Sequence, residues 1–253
     1  MPLWKVMIMN VYKYFNIHLN KKEFITLVGG GGKTTTMFRL AKELKSKGKN
    51  VLVTTTTAIF KPHFDSYDNL IVSQETINFD IKTGGSIIVL GRNISKNNKL
   101  LGINKNLLNS IYNRNIFDYI ICEGDGSKRK AIKAPDKHEP VIPDNTSMVI
   151  GVIGLDSIGK PIAKDYVHRP EILANILNKN RGEVLGEKDV YRLIVHKDGL
   201  FRNSPQNSKK YVLLNKADKD LNNSGNFIKE LFKDNRSFIN GIIVGSMKEN
   251  GYK

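Results

Sequence analysis

FITLVGGGGKTTTMFRLAKELKSKG, residues 24–48, decides the fold class. Phe24 to Gly29 is an apolar run of strand length. Beyond the glycines, Met37, Leu40, Ala41 and Leu44 recur at helical spacing until Gly48 stops the pattern. The junction Val28-Gly29-Gly30-Gly31-Gly32-Lys33-Thr34-Thr35 therefore lies where a strand gives way to a helix. Glycines there let several backbone N–H groups turn inward, and the helix N-terminus adds the positive end of its dipole, so the junction suits a phosphate chain. Lys33 can reach the β- and γ-phosphates and the Thr34 hydroxyl can ligate Mg²⁺. The phosphate-loop pattern is met imperfectly, because its first glycine falls at Leu27. Four consecutive glycines are expected to supply the same freedom from a slightly different turn. The competing reading, a flexible turn followed by a chance Lys-Thr, does not account for the strand before it and the amphipathic helix after it.

Working outward, further short apolar runs end in turn or polar residues: VLVTTT (51–56), SIIVLG (86–91), DYIICEG (118–124), SMVIGVIG (147–154), YVLLN (211–215) and FINGIIVG (238–245). Helical patterns fall at 104–115, 169–179, 187–196 and 224–234. Strands this apolar have no face to give to water, so the alternation predicts an α/β fold, phosphate-loop NTPase-like, with a mostly parallel sheet covered by helices on both faces. Residues 155–207 show no clear strand and are expected to form a helical insertion. No linker or internal repeat divides the chain, and one domain over 1–253 is expected.

The chain has 253 residues, 40% of them apolar and 25% charged, with a net charge of +16. That composition excludes collagen-like, disulfide-scaffold and charge-dominated disordered classes. No stretch approaches the roughly 18 consecutive apolar residues of a membrane span, so no membrane partner is expected. The charge invites a nucleic-acid reading, but the lysines are scattered, as at Lys42, Lys45, Lys47 and Lys49, then Lys96, Lys99 and Lys105, then Lys209 and Lys210. No interleaving of aromatic and basic residues supports that reading, and a solvated surface is the better account of the excess. The single cysteine, Cys122, cannot form an internal disulfide, and MPLWKVMIMNVYKYF (1–15) lacks the form of a secretory signal. A cytoplasmic location is expected.

Two motifs support the phosphate loop. Tyr119 to Cys122 run into Glu123-Gly124-Asp125-Gly126, which puts a carboxylate at a strand tip where it can hold the water shell of Mg²⁺. Glu123-x-x-Gly126 also resembles the acidic-x-x-glycine switch of GTPases. Spacing does not separate Glu123 from Asp125, so both are candidates for the metal and, with Lys33, for catalysis. The bland reading is an acidic turn at a strand end. Cys122 beside them reads as a small side chain in a buried strand. Downstream, Asn215-Lys216-Ala217-Asp218 follows YVLLN and resembles the N-K-x-D guanine motif. A carboxylate at Asp218 can accept from the N1–H and 2-amino donors of guanine, which adenine lacks, so GTP is preferred to ATP in this reading. Nucleotide contacts are expected from Gly29, Gly30, Gly31, Gly32, Lys33, Thr34, Thr35, Gly126, Asn215, Lys216 and Asp218, with Thr34 and Glu123 or Asp125 on the metal.

With these residues in place, the chain resembles the YqeC family, accessory proteins linked to selenium-dependent molybdenum hydroxylases. The resemblance runs from about residue 24 to 245 and is carried by LVGGGGKTT (27–35), VLVTTTTAIF (51–60), EGDGSKRKAIKAPDKHEPVIP (123–143), VIGLDSIGKP (152–161), VHRPE (167–171) and LLNKAD (213–218). It implies a nucleotide-gated factor in maturation or insertion of a selenium- and molybdenum-containing cofactor, with the hydroxylase or another maturation factor as partner. The alternative is a small-molecule kinase or transferase acting on an anionic cofactor precursor. Lys128, Arg129, Lys133, His138, Glu139, His168 and Arg169 are candidates for holding such a second ligand. They read equally as a solvated loop and a helix start. Thr54 to Thr57 suit a strand end and also a switch-like segment opposite the loop. Ala58 follows them, so no catalytic role falls at that position.

Overall fold

The computed structural model describes residues 10–73, 78–79, 81, 83–217, 221–233 and 239–247. Eight strands form one sheet: β1 (Glu23–Gly29), β2 (Asn50–Thr55), β3 (Asn69–Val72), β4 (Ser86–Gly91), β5 (Tyr119–Glu123), β6 (Met148–Gly154), β7 (Lys209–Asn215) and β8 (Gly241–Val244). Their order is β8-β7-β6-β1-β5-β2-β4-β3, and every pairing is parallel. Among the described residues the α-helices are α1 (Val11–Tyr14), α2 (Lys33–Lys45), α3 (Lys105–Asn113), α4 (Pro170–Leu177), α5 (Glu187–Val195) and α6 (Asn222–Leu231). The seven apolar runs singled out above all form strands of this sheet.

The period of two along β1 assigns its faces. Ile25 and Leu27 meet the fully buried Met37, Leu40, Ala41 and Leu44 of α2, with α1 beside them. Full burial of a Met or Leu side chain is worth about 1.5–3 kcal/mol, which outweighs what helix propensity supplies. On the other face, Phe24 joins Leu52 and Ile120 under Leu108 and Ile111 of α3. Val28 joins Val149 and Val212 under Leu173 of α4, Val190 of α5 and Ile228 of α6. Helices thus cover both faces, which is why strands such as β1, β4, β5 and β6 are buried along their whole length. Among the described residues, no helix is long and apolar enough to cross a membrane.

The connection from β1 through α2 leads to β2 on one side, while β6, β7 and β8 build the other side. The crossovers therefore reverse direction at β1, and open α/β sheets bind ligands beyond the C-terminal ends of the strands at such a point. Two small sheets follow those ends. Ala58–Phe60, Asn93–Ile94 and Lys99–Leu101 form an antiparallel trio, and Ile132–Lys133 pairs with Val167–His168. The insertion at 155–207 carries the expected helices, α4 and α5, joined by turns and irregular segments, yet it also contributes the short strand Val167–His168. That strand is held by the loop after β5, a long-range partner that no local pattern announces.

Candidate functional site

The four glycines leave the tip of β1 and cap α2. Gly31 and Gly32 adopt φ of 80° and 128°, which side-chain-bearing residues rarely take. A Cβ on Gly31 would also lie 2.2 Å from the Gly154 amide nitrogen. The loop is tied down from several elements. Gly30 N–H donates to Val152 O at 2.8 Å and Gly31 N–H to Lys130 O at 3.0 Å. Asn215 Nδ2 donates to Gly31 O at 2.7 Å. Among the described residues, the amides of Gly32, Lys33, Thr34 and Thr35 have no acceptor, as first-turn donors of a helix do not. These residues line a cleft of about 980 Å³ at the C-terminal end of the sheet. Fixed donors, a helix dipole and a lysine at one spot are what a phosphate chain needs.

Lys33 is buried, and its ammonium donates to Gly29 O. It lies 3.2 Å from Asp125 and 3.7 Å from Glu123. Burial would push this lysine down, but the two carboxylates outweigh it and hold the group above the ordinary lysine range. Glu123 is pushed up by burial against the pull of Lys33 and of the Thr34 hydroxyl, which donates to it at 2.7 Å. The two acidic candidates occupy different places. Glu123 lines the cleft beside Thr34. Asp125 is only 1% exposed, sits behind the loop, and accepts the Gly29 N–H with both oxygens at 3.1 Å.

From Asp125 a chain of ion pairs runs away from the loop. Lys133 lies 2.9 Å from Asp125 and 2.6 Å from Glu139, and Arg169 grips Glu139 with two bonds of 2.6 and 2.9 Å. Burial would raise the Glu139 carboxyl, but the hydrogen bonds from Arg169 and Lys133 prevail and bring it down to about 2. His168, half-buried in the cleft, is pushed down to about 4 by desolvation and by the charges of Lys133 and Arg169, so its imidazole is neutral at physiological pH.

Of the other candidates, Thr35, Gly126, Lys128, Arg129 and Lys216 line the cleft, whereas His138 is exposed and lies outside it. Asn215 is buried, accepting from Met247 N–H at 2.9 Å while it holds the loop. Lys216 pairs with Asp156 at 2.6 Å. Asp218 falls outside the described residues. Thr54, Thr55 and Thr56 spend their hydroxyls on the carbonyls of Leu90, Glu123 and Val141, and only Thr57 of that run reaches the cleft. Cys122 is buried, with its thiol pushed up by desolvation, consistent with a packed rather than a reactive side chain. Among the lining residues that the sequence reading did not single out are Phe60, Lys99 and Lys164. Phe60 closes the VLVTTTTAIF block, which was the available signal. Lys164 had none.

Among the described residues, no group of three or more His, Cys, Asp or Glu side chains converges on a metal position. Thr34 and Glu123 offer one hydroxyl and one carboxylate, which fits Mg²⁺, an ion that keeps several waters and draws its remaining oxygens from phosphates. They do not form a closed protein cage.

Comparison with known proteins follows the same residues. The chain matches the family described as YqeC protein over residues 25–171. It is 32% identical over 194 residues to "Uncharacterized protein YqeC" of Escherichia coli (strain K12), covering 76% of this chain and 75% of that protein.

Proposed function

The chain belongs to the YqeC family, and from that premise we propose that it is a cytoplasmic, Mg²⁺-dependent, guanine-preferring nucleotide-binding factor on a phosphate-loop NTPase-like fold. Its task is to assist maturation of the selenium- and molybdenum-containing cofactor of selenium-dependent molybdenum hydroxylases. The observation that carries the nucleotide reading is the row of acceptor-free amides from Gly32 to Thr35 at the N-terminus of α2, with Lys33 at its base. Strand order supports it: the loop strand β1 lies beside β5, whose tip presents Glu123 to Thr34. In this reading the amides and Lys33 balance phosphoryl charge, and Thr34 and Glu123 hold Mg²⁺ when it is bound, which supplies charge neutralisation between the phosphates. Asp125 is a positioning residue: it holds the Gly29 amide and keeps Lys33 charged. Asn215 fixes the loop, and Asp218 reads the base. The reading as a kinase or transferase has one observation in its favour, the cations Lys128 and Arg129, which have no carboxylate partner among the described residues.

The test is equilibrium binding of GTP and ATP, with and without Mg²⁺, to the wild type and to Lys33→Ala. Charge-assisted hydrogen bonds are worth about 1.5–3 kcal/mol, so the variant should lose about 10- to 100-fold in triphosphate affinity. Tight binding that survives Lys33→Ala unchanged defeats the phosphate-loop reading. Equal affinity for GTP and ATP removes the role of Asp218 alone.

A further inference from the structure

We propose that the cleft contains a second oxyanion site, formed by Lys128, Arg129 and Lys164 on the side lined by Phe60, whose ligand is a phosphorylated small molecule bound together with the nucleotide. The first observation is backbone conformation. Lys128, Arg129, Arg169 and Lys216 sit at φ of 47°, 63°, 65° and 61°, and every other non-glycine residue at positive φ among the described residues is an asparagine. Asparagine visits that region easily, whereas a lysine or arginine pays about 1–2 kcal/mol for it. All four of the cations so placed line this one cleft. Strain gathered in this way is characteristic of ligand clamps.

The second observation is which cations are already satisfied. Arg169 is held by Glu139, and Lys216 by Asp156. Lys128, Arg129 and Lys164 have no carboxylate within ion-pair distance among the described residues. Arg129 instead stacks on the half-exposed Phe60, its guanidinium carbon 4.2 Å from the ring centre, with the Lys99 ammonium 5.5 Å from the same ring. Stacking occupies the face of a guanidinium and leaves the N–H groups on its edge for an oxyanion. Three such cations lining one cleft suit a phosphate dianion better than a single carboxylate.

The third observation is position. Asn215 and Lys216 follow β7, two strands to one side of β1. The Lys128–Arg129 turn and Phe60 follow β5 and β2, on the other side. A nucleotide with its base toward Lys216 leaves the Arg129 side of the cleft open. The volume of about 980 Å³ is at the upper end of the roughly 300–1,000 Å³ typical of pockets for one small ligand.

This inference rests on the nucleotide reading for the occupant of the loop, and the experiment separates the two. Binding of inorganic phosphate is followed by titration calorimetry on protein saturated with a non-hydrolysable nucleoside triphosphate and Mg²⁺. It is repeated with Lys33→Ala and with the double variant Lys128→Asn/Arg129→Asn, which removes both charges while tolerating the left-handed turn. One phosphate should bind per chain with the loop filled, and the double variant should weaken it at least tenfold with nucleotide affinity unchanged within twofold. Loss of phosphate binding once the loop is filled, or wild-type phosphate binding by the double variant, overturns the second site. If no nucleotide binds the wild type, yet phosphate binding needs Lys128 and Arg129 and survives Lys33→Ala, the nucleotide reading fails and the second site stands.

Discussion

Replacing Lys133 by methionine tests whether the ion-pair chain behind the glycine loop holds the site together. Lys133 is 2% exposed and makes three contacts: Asp125 at 2.9 Å, Glu139 at 2.6 Å and Gly126 O at 2.8 Å. Methionine fills much of the same volume without the charge. Asp125, itself buried, would then have Lys33 as its remaining ionic partner, and Glu139 would have Arg169. Removing one member of a buried ion pair costs about 3–5 kcal/mol, mostly for the charge left behind. Because Glu139 keeps Arg169 and is partly solvated, the low end, about 3 kcal/mol, is expected. At about 2–4 °C per kcal/mol for a chain of this size, Tm should fall by about 6–12 °C. Triphosphate affinity should fall too, since Lys33 would be retained more strongly by Asp125. Adding Asp125→Asn removes the stranded charge while an amide oxygen still accepts from Gly29 N–H, so the double variant should recover part of the loss, with a coupling of about 1–3 kcal/mol. Thermal melts of the two single variants and the double variant decide the matter. A Tm change under about 2 °C for Lys133→Met, or strict additivity across the cycle, would refute the reasoning.

Two further outcomes follow from groups in or against the cleft. His168 is held near 4 in the folded chain against about 6.5 when unfolded, so between those values the unfolded chain binds more protons and stability falls as pH drops from about 6.5 to 4. Urea titrations across that window should show a shallower pH dependence for His168→Gln, and an unchanged slope would mean that the imidazole is not kept neutral. Asn215→Ala strips partners from Gly31 O and Met247 N–H, each worth about 1–3 kcal/mol when left unsatisfied, so stability and nucleotide affinity should fall together. A variant as stable as the wild type would show that Asn215 does not anchor the loop.

Much of the fold could be read from the sequence because a parallel sheet writes each strand as a local apolar run. The period of two in β1 and of 3.6 in α2 are properties of neighbouring residues. The pairings hardest to foresee were β3 and the strand Val167–His168. β3 is a four-residue edge strand with no buried residue, and Val167–His168 exists through a partner more than thirty positions away. The site divides in the same way. Lys33, Thr34 and Glu123 were legible from contiguous motifs. The contrast between Glu123 and Asp125 was not, since two positions in sequence place one carboxylate in the cleft and the other behind the loop. Lys133 read as a ligand-binding cation, whereas its ammonium is spent on Asp125 and Glu139. Lys164 carried no signal, because only folding brings the insertion over the mouth of the cleft.

The central place of β1 in the sheet also fixes when the glycine loop can take shape. Its hydrogen-bonding neighbours are β5 and β6, strands that begin at Tyr119 and Met148. A ribosome that has delivered Gly29 to Lys45 has supplied the loop and its helix but neither strand that flanks them, and Asn215, which clasps Gly31 O, comes later still. Pairings of such long separation close slowly, and the unpaired apolar β1 must wait for them. The geometry of the glycine loop is thus completed late, by residues arriving from the far half of the chain. A partly synthesised chain would carry the sequence of the loop without its shape, so the nucleotide proposed above would be a ligand for the finished protein alone.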